Sequence, residues 1–370
     1  MPAPEIVCLL NGMTDVPLDD LGGVTPLQKS SHPTLDRLAQ EGSALRVDPP
    51  PFGGHETSLL TLLGIQEGLE SAACGPLIAA AQGIALGPNQ RAYSVQLASA
   101  GKETIVDLSD RLVSNSEGRA LCHALTTTLS NEGCHFIHVD GPRAVMVTDH
   151  PAFYKPTARH LGPADVVGRP WHKVIPKGVD KKGARRLLQR AHEVLSHHEV
   201  NQVRAELEEE PINVLVLSEG GGRPTWHPFL STDTMLHTFD HALIGVAKSC
   251  GIPLWRLPRP DAKFGLIRTL LGGLDHAMSQ CTRLFLDIPY LWEATVRGDL
   301  LEKVKTIEWL DRHLIAPLFE YCWARTIRLT VMPLRRTDIR RGAVTPGWVP
   351  CATYPATKPT HAHRFEEEAF

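Results

Sequence analysis

The chain predicts an α/β fold: a doubly wound, mostly parallel sheet with a smaller α+β domain inserted into it. Two observations carry this. Short β-branched, nearly all-apolar runs alternate with longer segments of helical period, the pattern of parallel strands covered on both faces. One central stretch, from about Ser109 to Lys182, has a different texture, with short strands and Pro-, Gly- and His-rich loops. A length of 370 residues with 42% hydrophobic and 21% charged content gives ample core for one large domain with an insertion.

Taken in order, strands are expected at 5–10, 92–97, 134–139, 144–148, 212–217, 252–257, 283–287 and 326–331. Each is an apolar run bounded by turn residues. Helices are expected at 33–41, 57–63, 117–129, 183–197, 232–249, 262–279 and 299–316. The last shows Leu301, Val304, Ile307, Leu310 and Leu314 at spacings of three and four, one apolar stripe. The domain reading is therefore a core of residues 1–108 and 183–370 with an inserted cap of residues 109–182.

Composition narrows the function classes. With 41 acidic against 38 basic residues the net charge is −3, and the basic clusters at 181–186 and 335–341 are short, so no nucleic-acid footprint is expected. No apolar run reaches the roughly 18 residues of a membrane span. No basic region precedes the first apolar run, so a cytoplasmic location is expected. The eight cysteines stand singly, without the paired spacing of zinc or redox sites, and are read as small buried hydrophobes.

One set of segments is specific enough to name a family. It comprises His198 to Arg204, Pro211 to Asn213, Gly220 to Pro224 and Pro228-Phe229. Supporting it in the same order along the chain are Thr25 to Leu27, Thr34 to Ala39, Thr61 to Gly64, Gly75 to Leu77, Asp165 to Pro170, and Gly298-Asp299 with Lys303 and Asp311. Together they resemble the archaeal-type cofactor-independent phosphoglycerate mutases of the alkaline phosphatase superfamily. The resemblance implies an alkaline-phosphatase-type core, a cap that closes over the active site, two divalent metals and a serine nucleophile.

At the positions the family uses, this chain departs from that pattern. Where the family has Asp-Gly-Met it has Asn11-Gly12-Met13, and where the nucleophilic serine stands it has Gly54-His55-Glu56. Asp287 survives, but Leu291 takes the place of a histidine. Leu334 and Arg335 take the places of a further acid and histidine, and a last histidine aligns near Val344. One carboxylate cannot neutralise two dications, so the sequence predicts no metal cofactor and a pseudoenzyme: a mutase-like fold kept as a binding, structural or regulatory subunit with a protein partner or a second copy of itself.

Two other readings stand beside it. One is a metal-independent phosphotransferase or phosphate-ester-binding protein that uses His55 and Glu56, His55 being otherwise a filler of vacated space. The other is a conventional mutase site displaced to Asp15 or Asp338. A buried Asp287 without metals needs a cation, and Arg335 or Arg336 is expected to supply it. For a phosphorylated small molecule the cap candidates are Arg143, Arg159, His160 and Arg169, since the arginine fork suits oxyanions. Gly220 to Gly222 lacks phosphate-loop spacing and is read as a structural turn, as His198 is read as packing. If Tyr290 to Trp292 stands where a metal histidine of the family faces the cleft, it fills the pocket with apolar bulk.

Overall fold

A computed structural model describes residues 3–108, 113–155, 163–226, 233–258, 262–356 and 362–367. The chain divides into two compact units, Met1–Gly64 with Pro228–Phe370, and Ile65–His227.

In the first unit a six-stranded sheet runs in the order Ser43–Val47, Val349–Tyr354, Arg328–Met332, Glu5–Leu9, Arg283–Asp287, Thr234–His237. The last four are parallel to one another, while the first two are antiparallel additions at one edge. Glu5–Leu9 lies between two parallel neighbours, which is why four of its five residues are buried and its sequence does not alternate. Helical leucines from Leu310, Leu314 and Leu318 pack with Ile6, Cys8, Leu284, Leu286, Leu329 and Val331 into one core. Each such side chain contributes about 1.5–3 kcal/mol of burial. Leu9 pairs with both Met332 and Asp287, so the chain leaves these strands along one edge of the sheet, the carboxyl edge where open α/β sheets bind ligands.

Three elements of this unit differ from expectation. The segment read as a helix over 232–249 is a strand, Thr234–His237, followed by a helix, His241–Cys250, capped by the Asp240 carboxylate. The 252–257 run makes only an isolated bridge from Leu254 to Leu236. The expected 299–316 helix runs on to Arg325, as Leu300–Leu310, a widened turn Asp311–Ile315, and Ala316–Arg325. Pro317, which has no N–H to give the preceding turn, accounts for the widening. That turn carries Asp311, whose carboxylate accepts the Thr34 and Leu35 N–H groups and so caps the helix Pro33–Glu41.

The second unit is built on an antiparallel sheet in which Arg91–Ala100 pairs with Ile105–Asp107, Arg143–Thr148 and Val214–Gly221, and Cys134–Asp140 pairs with Arg143–Thr148. It is wider than the expected 109–182 insertion because its central strand, Arg91–Ala100, and its partner Val214–Gly221 both lie outside those bounds. Two of the recognised motifs are structural here. The Asn201 amide bridges Leu195 and both backbone groups of Ile212, tying a helix end to the chain just before the strand Val214–Gly221, and His198 accepts the Val200 N–H as a helix cap. Gly220 lies under the Tyr93 ring, where a Cβ would come within 2.0 Å of it.

Seven of the eight cysteines are buried, and Cys74 is half-buried. No helix among the described residues is long and apolar enough to cross a membrane.

Candidate functional site

The residues singled out on the first unit come together at the carboxyl edge of the parallel strands. Asn11 follows the strand Glu5–Leu9, and its side-chain N–H donates to Asp287 Oδ1 at 2.8 Å while its Oδ1 accepts the Leu334 N–H at 2.9 Å. Thr238, just past the strand Thr234–His237, donates its hydroxyl to Asp287 Oδ2 at 2.6 Å. Three strand ends are thus stitched around one carboxylate. Burial disfavours the charged form of Asp287 and outweighs its two donors, pushing its pKa up to about 7. The group therefore holds or releases a proton near neutrality.

The second half of the site is the turn into the helix His55–Leu62. Gly54 is its N-cap residue, and the Glu56 carboxylate folds back to accept the Gly54 N–H at 2.7 Å. His55 is buried, and its ring meets Trp292 edge-on with centroids 4.8 Å apart. Trp292 stands on the helix Tyr290–Val296, whose first turn approaches the loop after the first strand so closely that a Cβ on Gly12 would lie 2.6 Å from the Leu291 and Trp292 backbone. Gly12 also has φ +92°, which a side chain would strain.

Arg335 does not reach Asp287. Its guanidinium, 5% exposed, donates to the carbonyls of Gly54 at 3.1 Å, Pro50 and Phe52, and to the Thr57 hydroxyl at 2.7 Å. Arg336 donates instead to the Asp15 carbonyl. The expected Arg–Asp287 pairing is therefore corrected. The carboxylate is held by an amide and a hydroxyl, and the arginine straps the 50–57 turn. Leu291 lies in the core rather than filling a cleft, and Trp292 meets the His55 ring.

The displaced-site alternative also fails on geometry. Asp15 is fully buried against Lys303, and Asp338 is engaged by the Arg340 side chain. In the second unit Arg143 and Arg169 are exposed, while Arg159 and His160 lie outside the described residues. Sequence reasoning missed Thr238, because its strand was read as part of a helix, and Thr57, whose hydroxyl receives Arg335. It also missed His237, buried with one ring nitrogen donating to the Trp255 carbonyl at 3.0 Å and held neutral by desolvation.

The site can be tested against the ion pair that the resemblance implies. Of Asn11, His55, Glu56, Asp287, Leu291, Leu334 and Arg335, two are carboxylates, Asp287 with both oxygens engaged and Glu56 accepting the Gly54 N–H, and one is an imidazole; the rest are an amide, two leucines and a buried guanidinium. By themselves these positions supply fewer anionic ligands than a pair of divalent ions takes, so further groups would have to complete such a site.

The model of the 2,3-bisphosphoglycerate-independent phosphoglycerate mutases matches residues 41–201. Curated proteins of that name are similar over most of the chain. One from Methanothermobacter thermautotrophicus is 28% identical, covering 94% of this chain and 87% of its own length. One from Methanosarcina mazei is 25% identical, covering 97% and 93%. A solved protein of Pyrococcus horikoshii overlays all of this chain and 92% of its own with a TM-score of 0.71 at 17% identity. A cofactor-independent phosphoglycerate mutase from Thermoplasma acidophilum does so over 100% and 94% with a TM-score of 0.55 at 22% identity. These overlays show the alkaline-phosphatase-type fold.

Two expectations are corrected by these findings. A pseudoenzyme is not upheld, because relatives similar from end to end carry the name of the active mutase. Nor is the absence of a cofactor, because that family works with divalent metals.

Proposed function

From its similarity to curated 2,3-bisphosphoglycerate-independent phosphoglycerate mutases over nearly the whole chain, we propose that this protein interconverts 2- and 3-phosphoglycerate or a closely similar phosphorylated hydroxy acid. The observation that supports it is the convergence of Asn11, Asp287, Thr238 and Leu334 with the His55 turn at the carboxyl edge of the parallel strands, the place where this fold class keeps its chemistry. Asp287, half-protonated near pH 7, suits the proton bookkeeping of phosphoryl transfer, in which a departing oxygen gains a proton and an incoming hydroxyl loses one. His55 and Glu56 begin the helix on which the family keeps its nucleophile.

The test is an enolase-coupled assay of the purified chain with manganese supplied. The expected result is turnover in the ordinary range of about 1–1,000 per second. Loss of about 100-fold or more is expected in Asp287→Asn, the scale of a lost general acid–base group. No conversion of either isomer overturns the proposal.

A further inference from the structure

Apart from the groups gathered around Asp287, the same unit holds a buried ion pair. Lys303 and Asp15 are both fully buried, and the ammonium donates to the Asp15 carboxylate, to the Thr295 hydroxyl at 2.9 Å and to the Thr337 hydroxyl at 3.0 Å. Its three N–H groups are thus all engaged. The other Asp15 oxygen accepts the N–H groups of Val16 at 2.8 Å and Ile339 at 3.2 Å. Around this pair the loop at 14–15 is laced to the segment 335–339. Thr337 donates through its N–H and its hydroxyl to the Thr14 carbonyl, the Thr14 hydroxyl donates to the Arg335 carbonyl, and Arg336 donates to the Asp15 carbonyl. Glu367, buried on the far side, accepts the Asp15 N–H and the Thr25 hydroxyl.

A buried ion pair is a poor source of stability, since an apolar pair of the same volume often does as well or better. What this pair supplies is position, because its partners are hydrogen-bonding groups at fixed places on two segments. We infer that Asp15 and Lys303 are positioning residues: they fix the segment 335–339, and through the Arg335 guanidinium they fix the turn Pro50–Thr57 that carries His55. The inference rests on the proposed function in treating that turn as part of the working site, and its test includes a readout that does not depend on turnover.

The experiment compares the parent with the double variant Asp15→Asn/Lys303→Met, which removes both charges together while keeping similar volumes. Histidine is labelled with carbon-13, and the His55 resonance is assigned through His55→Asn. A cooperative melt establishes folding. The expected result is a shifted or broadened His55 resonance in the folded double variant. Where the parent turns over phosphoglycerate, a kcat at least 10-fold lower with KM within about 3-fold of the parent is expected too. An unmoved His55 resonance overturns the inference whether or not the parent is active, and a parent without turnover but with a moved resonance overturns only the proposed function. Should the double variant not fold, Thr337→Val carries the same test, because it cuts the link from Lys303 to Thr14 without stranding a charge.

Discussion

Asp15 and Asp287 are two buried carboxylates of the same unit in opposite surroundings. Asp15 has a buried ammonium against one oxygen and backbone N–H groups against the other. Asp287 has only an amide and a hydroxyl. The difference separates structure from chemistry. A carboxylate with a cation and fixed donors around it holds two segments of chain in place, whereas one with neutral donors is poised to exchange its proton near pH 7. Burial alone makes neither a catalytic group nor a strut; the charge of the neighbours decides.

The strongest way to break this comparison is to strand the Asp15 charge. Lys303→Met alone should cost about 3–5 kcal/mol, the penalty of an unpaired buried ion. The double variant with Asp15→Asn should recover most of that. Urea unfolding at pH 7 measures both, and equal losses in the single and double variants would show that the pair does not act as a unit.

The next effect tests Asp287. Its folded pKa, about 7, lies above the ordinary 3.8, so the native state binds more protons than the unfolded chain between these values. Stability is then fully present below about pH 4 and is lost as pH rises through 7. Three units correspond to about 4 kcal/mol at most, and imperfect pairing of the new amide reduces what a variant can regain. Asp287→Asn should therefore be more stable than the parent by about 2–3 kcal/mol at pH 8 and equal to it near pH 4, read from urea midpoints across that range. A parallel pH course for the two proteins would contradict the poised state. Thr238→Val sharpens the same point. It removes a donor that favours the charged form, so a loss of about 1–2 kcal/mol is expected at pH 8 and much less at pH 4.

How far this was legible in the sequence follows the range of each interaction. The strands Glu5–Leu9, Arg283–Asp287 and Arg328–Met332 were legible because a strand buried on both faces writes itself as an unbroken apolar run. Thr234–His237 was not, because its Met235 and Leu236 continue the apolar spacing of the helix that begins at His241. The meeting of Asn11 with Asp287 was within reach, since one directly follows and the other ends an apolar run, and the two runs pair side by side. Thr238 was hidden with its strand. The target of Arg335 was misjudged because charge alone pointed it at the nearest unpaired acid, whereas the carbonyls of the 50–57 turn, invisible as side-chain chemistry, claim it. The limits of the second unit were hard to read for a similar reason: the strand Arg91–Ala100 joins its sheet through partners far along the chain.

The smallest expected effect comes from a third acid on the same segment as Arg335. Asp338 stands one residue past Thr337, but its carboxylate accepts from Arg340, whose side chain lies open to water. An ion pair with one partner in solvent gains little over hydration of the separate groups and is screened by salt. Asp338→Asn should leave the urea midpoint at pH 7 within error of the parent, at low and at high salt, and leave the His55 resonance unmoved. If it moved that resonance as far as the Asp15/Lys303 double variant does, the contrast between buried and exposed charge would fail, and control of the His55 turn would lie in the segment 335–339 as a whole rather than in the buried pair.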